Sequence, residues 1–198
     1  MRLFVLLFFI PFFASAEINQ SLQTQLLEME TSDQSLRKKL GKIGWSKAPQ
    51  KLLAKLSAVD LENTNKLKAM LSKRQWFTEA EVGRKGIEAA FLIIQHSPDK
   101  SFQERMLPIL KDAYLNNQGV SGQEVALLTD RVLVHNGQKQ LYGTQADLKN
   151  DEVVFMPISD IDKVDERRAE MGMPPLKFYK KLLEEMYGVK DHPDINFK

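Results

Sequence analysis

Between Ile87 and Ile94 every residue except Glu88 is apolar or small. The stretch follows Thr78-Glu-Ala-Glu81, a capping-box pattern, and the two together predict a helix from Thr78 to about His96. A helix that is apolar around most of its circumference has no face to give to water, so other elements must surround it. That requirement constrains the fold more than any other feature: one central rod and a shell of partners.

The partners are visible as amphipathic stripes. Leu22, Leu26, Met29, Leu36, Leu40 and Ile43 step by threes and fours, which predicts a helix over about 18–43. Gly44 and Pro49 bracket a break, and Leu52, Leu53, Leu56 and Val59 mark the next helix, with Asp60 read as the cap of a continuation through Leu67, Met70 and Leu71. Phe102, Met106, Ile109, Leu110 and Ala113 make a further face, in which Pro108 implies a kink or boundary. Ser121-Gly-Gln-Glu124 is a second capping box, opening a helix through Val125, Leu128 and Val132. Two more helices are expected from about Asp162 to Met171 and from Pro175 to Met186, with Gly172 as the cap between them.

After Asn136-Gly137 the period changes. Gln140 to Gln145 and Val153 to Met156 read as two short strands around Lys149-Asn-Asp151, with Gln140, Tyr142 and Thr144 on one face and Gly143 marking a bulge or a close approach. The expected fold is therefore mainly α: a single-domain helical bundle of six to seven helices over residues 17–188, with one small β-hairpin at about 140–156 and a loose tail at 189–198. A chain of 198 residues, 43% hydrophobic and 27% charged, is long enough to bury such a core.

Residues 1–16 stand outside this pattern. Arg2, the apolar run Leu3–Phe13 and the small residues Ala14-Ser-Ala16 read as a cleavable signal peptide, with a retained N-terminal anchor as the alternative. The run is too short to span a bilayer as a helix, so cleavage leaves no stable membrane anchor and a periplasmic or secreted protein is expected. The chain has no Cys, so the core must hold the fold without disulfides. Formal charge is +2. Lys177-Phe-Tyr-Lys-Lys181 is the one basic and aromatic run and reads as a solvated helix face, so no nucleic-acid partner is expected.

Candidate functional residues are those that interrupt apolar stripes. Asp33 replaces an apolar step, with Arg37 one turn on; a local ion pair and a carboxylate pointing into a polar cavity both account for it. Asn63 repeats the pattern, and an interhelical hydrogen bond explains it equally well. Ser97-Pro98 ends the central helix and Asp99 caps the next, which puts Gln95 and His96 at the end of a buried rod. There the helix terminus raises the imidazole pKa and burial lowers it. Asp130 and Arg131 are adjacent among apolar positions and diverge by about 100°, so each is expected to reach a different partner. Arg167 and Arg168 are surface ion-pair formers or a clamp for an anion.

These residues together carry a resemblance. Ile94-Gln-His96 with Asp99, Asp130-Arg131, Gln140-x-Tyr-Gly-Thr-Gln145, and Asp165-x-Arg-Arg168 with Gly172-x-Pro174 resemble a bacterial domain of unknown function found in exported or stand-alone proteins. Asp33-x-x-x-Arg37, Asp60-x-x-Asn63 and Val82-Gly83 extend the likeness over nearly the whole chain, while Arg74-Gln-Trp-Phe77 departs from the Gly-Trp-Pro turn of similar proteins. The resemblance implies a shared fold and a choice of residues, and brings no activity with it.

No phosphate-cradling glycine loop, nucleophile elbow or His-Glu-x-x-His motif is present. With three His and no Cys a structural zinc site is not expected; a hard or intermediate metal on Asp33, His96 and Asp130 is the minor alternative to the expectation of no metal and no cofactor. Three functional readings remain. In the first, a metal-independent hydrolase or transferase acts on a polar or anionic substrate: His96 is general base or acid, Asp130 or Asp99 orients it, and Arg131 and Arg168 hold an anionic group. Tyr142, Thr144 and Gln145 then position the substrate, with Gln140, Arg167, Asp33 and Asn63 as further lining. In the second, the same groups bind a small polar ligand or a protein partner without catalysis. In the third, they form one buried structural network.

Overall fold

The structure, a computed structural model, describes residues 18–194. The signal-peptide expectation for residues 1–16 lies outside the described residues. Seven helices and one hairpin follow in order: α1 (Gln20–Ile43), α2 (Gln50–Met70), α3 (Glu79–His96), α4 (Lys100–Leu115), α5 (Gly122–His135), β1 (Ala146–Lys149), β2 (Glu152–Phe155), α6 (Val164–Glu170) and α7 (Leu176–Met186). The protein is a mainly α single domain. Among the described residues no helix is long and apolar enough to cross a membrane.

The caps act where the residue pattern puts them. Thr78 Oγ1 accepts the Glu81 N–H, Asp99 Oδ1 accepts the Phe102 N–H, and Ser121 and Glu124 form a reciprocal capping box. α3 is the rod: Ile87, Ala89, Ala90, Phe91, Ile93 and Ile94 are all at most 3% exposed, and α1, α2, α4 and α5 pack around it. Cutting Ile87 or Ile94 to alanine would cost about 2–5 kcal/mol. Near its start α3 bends at Gly83, whose φ of +67° suits glycine, and the Gln23 amide donates to the Val82 carbonyl beside the bend at 2.8 Å.

The apolar interior has two parts. The larger cluster includes Leu26, Met29, Leu67, Phe91, Phe102 and Leu128. The smaller joins Leu36 and Leu40 of α1 to Leu56 of α2. Along α1, Asp33 falls between Met29 and Leu36; along α2, Asp60 and Asn63 fall between Leu56 and Leu67. The polar residues that interrupt the stripes thus mark the seam between two hydrophobic clusters.

Several expectations are corrected. Asp60 is no cap: α2 runs unbroken from Gln50 to Met70, and the carboxylate accepts from Arg37 instead. α4 passes through Pro108 without a boundary, because Pro108 faces solvent and the carbonyl it leaves unpaired can be hydrated. The strand expected at Gln140–Gln145 is a loop. Its backbone N–H groups at Leu141, Tyr142 and Thr144 go to the Asp130 carboxylate rather than to a ladder, and Gln140 makes a single parallel bridge to Ile158. The second strand and the turn fall where expected, and only the first strand is displaced, to Ala146–Lys149, pairing Ala146 with Phe155 through Lys149 with Glu152. Asn150 and Asp151, both at positive φ, turn the hairpin. Gly143 has φ +68°, and a Cβ there would lie 2.7 Å from Leu176 Cδ1 and 2.9 Å from Ile158 Cδ1, so the close approach is by side chains. The start of the tail is held rather than loose: the His192 N–H donates to Glu185 at 2.7 Å and its ring meets Glu184 at 2.6 Å.

Candidate functional site

The candidate residues separate into two networks. The first surrounds the 140–145 loop. Asp130, fully buried, accepts from the backbone N–H groups of Leu141 (2.7 Å), Tyr142 (3.1 Å) and Thr144 (2.9 Å) and from the Thr144 hydroxyl (3.0 Å). Burial pushes its pKa up against the pull of those donors. Gln140 closes the loop on itself: its amide donates to the Gln145 and Met156 carbonyls and its oxygen accepts the Gln145 N–H, each at 2.8 Å. Arg167 donates to the Leu141, Ser159 and Asp160 carbonyls. Arg168, also fully buried, donates to the Pro174 and Tyr142 carbonyls and lies 4.7 Å from the centre of the Tyr179 ring. These side chains saturate backbone groups that a loop would otherwise leave bare. The arginines clamp carbonyls, and Arg168 Nη2 is buried without a partner among the described residues.

The second network occupies the seam. Asp33, 1% exposed, accepts from Arg37 Nε at 2.9 Å and from Gln34 Nε2 at 2.6 Å. Both its oxygens stand 3.0 Å from His96 Nδ1. Arg37 carries the network on, its Nη2 donating to both oxygens of Asp60 at 2.8 and 2.9 Å. An ionised carboxylate can only accept, so Nδ1 carries the imidazole proton and Nε2 the lone pair. Nε2 has no hydrogen-bond partner among the described residues, and the ring is 19% exposed. Arg131 projects from α5 to Gln95, whose amide oxygen accepts from its Nε at 2.9 Å and Nη2 at 3.2 Å in the amide orientation that satisfies both groups.

The charges in the seam are set by their neighbours. Burial pushes Asp33 up, but the His96 hydrogen bond and Arg37 outweigh it and hold the carboxyl at about 2. Burial pushes Asp60 up against the pull of Arg37, and the nearby Asp33 adds to the rise, to about 6. Burial lowers His96; Asp33 opposes this, while Arg37 and Arg131 reinforce it, so the ring is neutral at neutral pH. The tension between helix end and burial is settled in favour of burial.

The constellation of His96 with Asp130 or Asp99 is not formed. Asp99 caps α4 and pairs with Lys68 and Ser101, and Asp130 belongs to the loop, so the orienting carboxylate is Asp33. Tyr142 contributes its backbone to the Asp130 network. The Gln145 amide donates to Thr144 Oγ1. Asn63 donates to the Met29 carbonyl at 3.1 Å, an interhelical bond in the floor of an α1–α2 groove of about 550 Å³. Asp130 and Arg131 do reach different partners. Among the described residues no cluster of three or more His, Asp or Glu is arranged to hold a metal. Sequence reasoning left Arg37, Asp60 and Gln95 out of the site; the one available signal was the four-residue spacing of Asp33 and Arg37, which makes Arg37 a bridge.

Fold and site define a helical single domain with a carboxylate–imidazole dyad at the seam of its two apolar clusters. The chain belongs to the family described as Family of unknown function (DUF6624), which matches residues 20–192. No curated protein and no solved structure matches it.

Proposed function

We propose that this protein is a hydrolase or transferase acting on a polar substrate, with Asp33 and His96 as its general-base dyad. One observation carries the reading: Nδ1 is committed to a buried carboxylate while Nε2 has no partner among the described residues and the ring reaches solvent. In the forward step Nε2 takes a proton from water or a substrate hydroxyl. The resulting imidazolium is stabilised by Asp33, and the proton then passes from Nε2 to the leaving group. Positioned proton transfer of this kind contributes about 10²–10⁴-fold in rate. No Ser, Thr or Tyr hydroxyl bonds Nε2 among the described residues, which favours water or an acceptor hydroxyl as the nucleophile. The leader-like residues 1–16 support an extracytoplasmic setting. For Asp130, Gln140, Arg167 and Arg168, the backbone groups they saturate favour a purely architectural role.

The test is hydrolysis of a panel of ester, amide, glycoside and phosphoester substrates by the wild-type protein, His96→Gln, Asp33→Asn and Tyr142→Phe. The expected activity disappears in the first two variants and survives in Tyr142→Phe. An activity that persists in folded His96→Gln would overturn the reading.

A further inference from the structure

Arg131 is the guanidinium of the seam that no carboxylate neutralises. Arg37 holds Asp33 and Asp60 within 2.9 Å, whereas Arg131 has no carboxylate oxygen within 4 Å among the described residues and meets only the Gln95 amide. That contact uses Nε and one N–H of Nη2, which leaves Nη1 and the second Nη2 N–H without a protein acceptor. Arg131 is half-buried, so its charge loses part of its hydration while the free edge of the fork still reaches solvent, where a ligand can meet it. Arg168 meets the same problem in a sealed setting, with two carbonyls and the face of Tyr179, and keeps its Nη2 buried without a partner among the described residues. Arg131 has no such arrangement, although its charge bears on His96 and on the Tyr179 and Tyr187 phenols. The free edge of a planar fork matches two oxygens of one oxyanion.

We propose that Arg131 is the binding residue for an oxyanion on the substrate, a carboxylate or a phosphate, held beside the Asp33–His96 dyad. The proposal rests on the dyad as the reaction centre and deepens that reading by naming the substrate class. Gln95 is the positioning residue, fixing the fork by two bonds so that Nη1 is presented in one orientation. A neutral sugar or an unmodified amine would leave the fork unpaired and is disfavoured as the group bound there.

Inorganic phosphate and acetate, titrated separately into the full-length protein and followed by calorimetry and by the His96 ring resonances, test the proposal. Saturable low-millimolar binding of at least one anion is expected, weakened at least about tenfold in Arg131→Gln, and which anion binds identifies the oxyanion. If Arg131→Gln does not fold, Arg131→Lys keeps the charge, loses the fork, and is expected to bind more weakly than wild type. No saturable binding of either anion, or equal binding by a folded Arg131 variant, overturns the proposal. His96→Gln separates the two readings: it keeps anion binding while losing turnover. If anion binding is found but no activity depends on His96, the dyad chemistry fails and the anion site stands; if a His96-dependent activity is found without anion binding, the reverse holds.

Discussion

Asp130 and Asp33 are both buried carboxylates that interrupt an apolar helical stripe, yet they end in different places. Every acceptor position of Asp130 that is used meets a backbone N–H or hydroxyl of one loop, and each of those donors is consumed there. Asp33 instead accepts from two groups that have other ends: Arg37 continues to Asp60, and His96 continues to an unpartnered Nε2. A buried charge whose network closes on the backbone is explained by the fold alone. A buried charge whose network terminates on a free nitrogen near solvent asks for a ligand or a proton. The contrast favours architecture for the 140–145 loop and is what the chemistry proposed for the seam rests on.

The largest expected effect belongs to the closed network. Asp130→Ala strands three backbone N–H groups and should cost about 3–5 kcal/mol in urea denaturation, with the hairpin region losing hydrogen-exchange protection first. A loss below about 1 kcal/mol would mean that the loop is held by something else.

Next in size is the pH dependence of the seam. Asp60 is raised to about 6 when folded, against 3.8 unfolded, so the cost of ionising it is present above pH 6 and relieved as pH falls toward 4. Asp33 is depressed to about 2, so its stabilisation is present above 3.8 and lost as pH falls from there through 2. Asp60 adds stability on acidification from pH 7 to about 4 and Asp33 removes it below that, by about 2–3 kcal/mol each, while His96, lowered from 6.5, opposes the Asp60 limb because the unfolded ring takes up its proton first. The difference between wild type and Asp60→Asn in denaturation midpoints across pH should therefore carry the Asp60 limb alone and leave the lower one unchanged.

The smallest effect is expected at the open network. His96→Gln removes the ring but keeps an amide donor that can reach Asp33, and should cost about 1–2 kcal/mol, less than Asp130→Ala. A loss of several kcal/mol would make the seam architectural too and erase the contrast with Asp130.

The helices were legible because each carries its own signal: apolar steps of three and four, and caps at Thr78, Asp99 and Ser121 that act through neighbours three residues away. Asp33, His96 and Arg131 were legible as interruptions of those stripes. Asp60 was not, since an acidic residue after one apolar stripe and before another looks like a boundary until its partner, 23 residues away on α1, is known. The loop at 140–145 was misread as a strand for a related reason. Alternation describes a backbone that pairs with a ladder, and nothing in Gln140–Gln145 itself announces that its N–H groups belong to a carboxylate on α5. Arg167 and Arg168 likewise look like surface charges, because carbonyl acceptors leave no mark in a sequence.

The central claim is that His96 presents an unprotonated Nε2 to solvent with Nδ1–H on Asp33, and nitrogen-detected NMR of the imidazole across pH tests it most directly. The expected result is a neutral ring at pH 7, protonated on Nδ1, with an apparent pKa below the ordinary 6.5 that falls further in Asp33→Asn. A ring protonated on Nε2, or an imidazolium persisting above pH 7, would contradict the account.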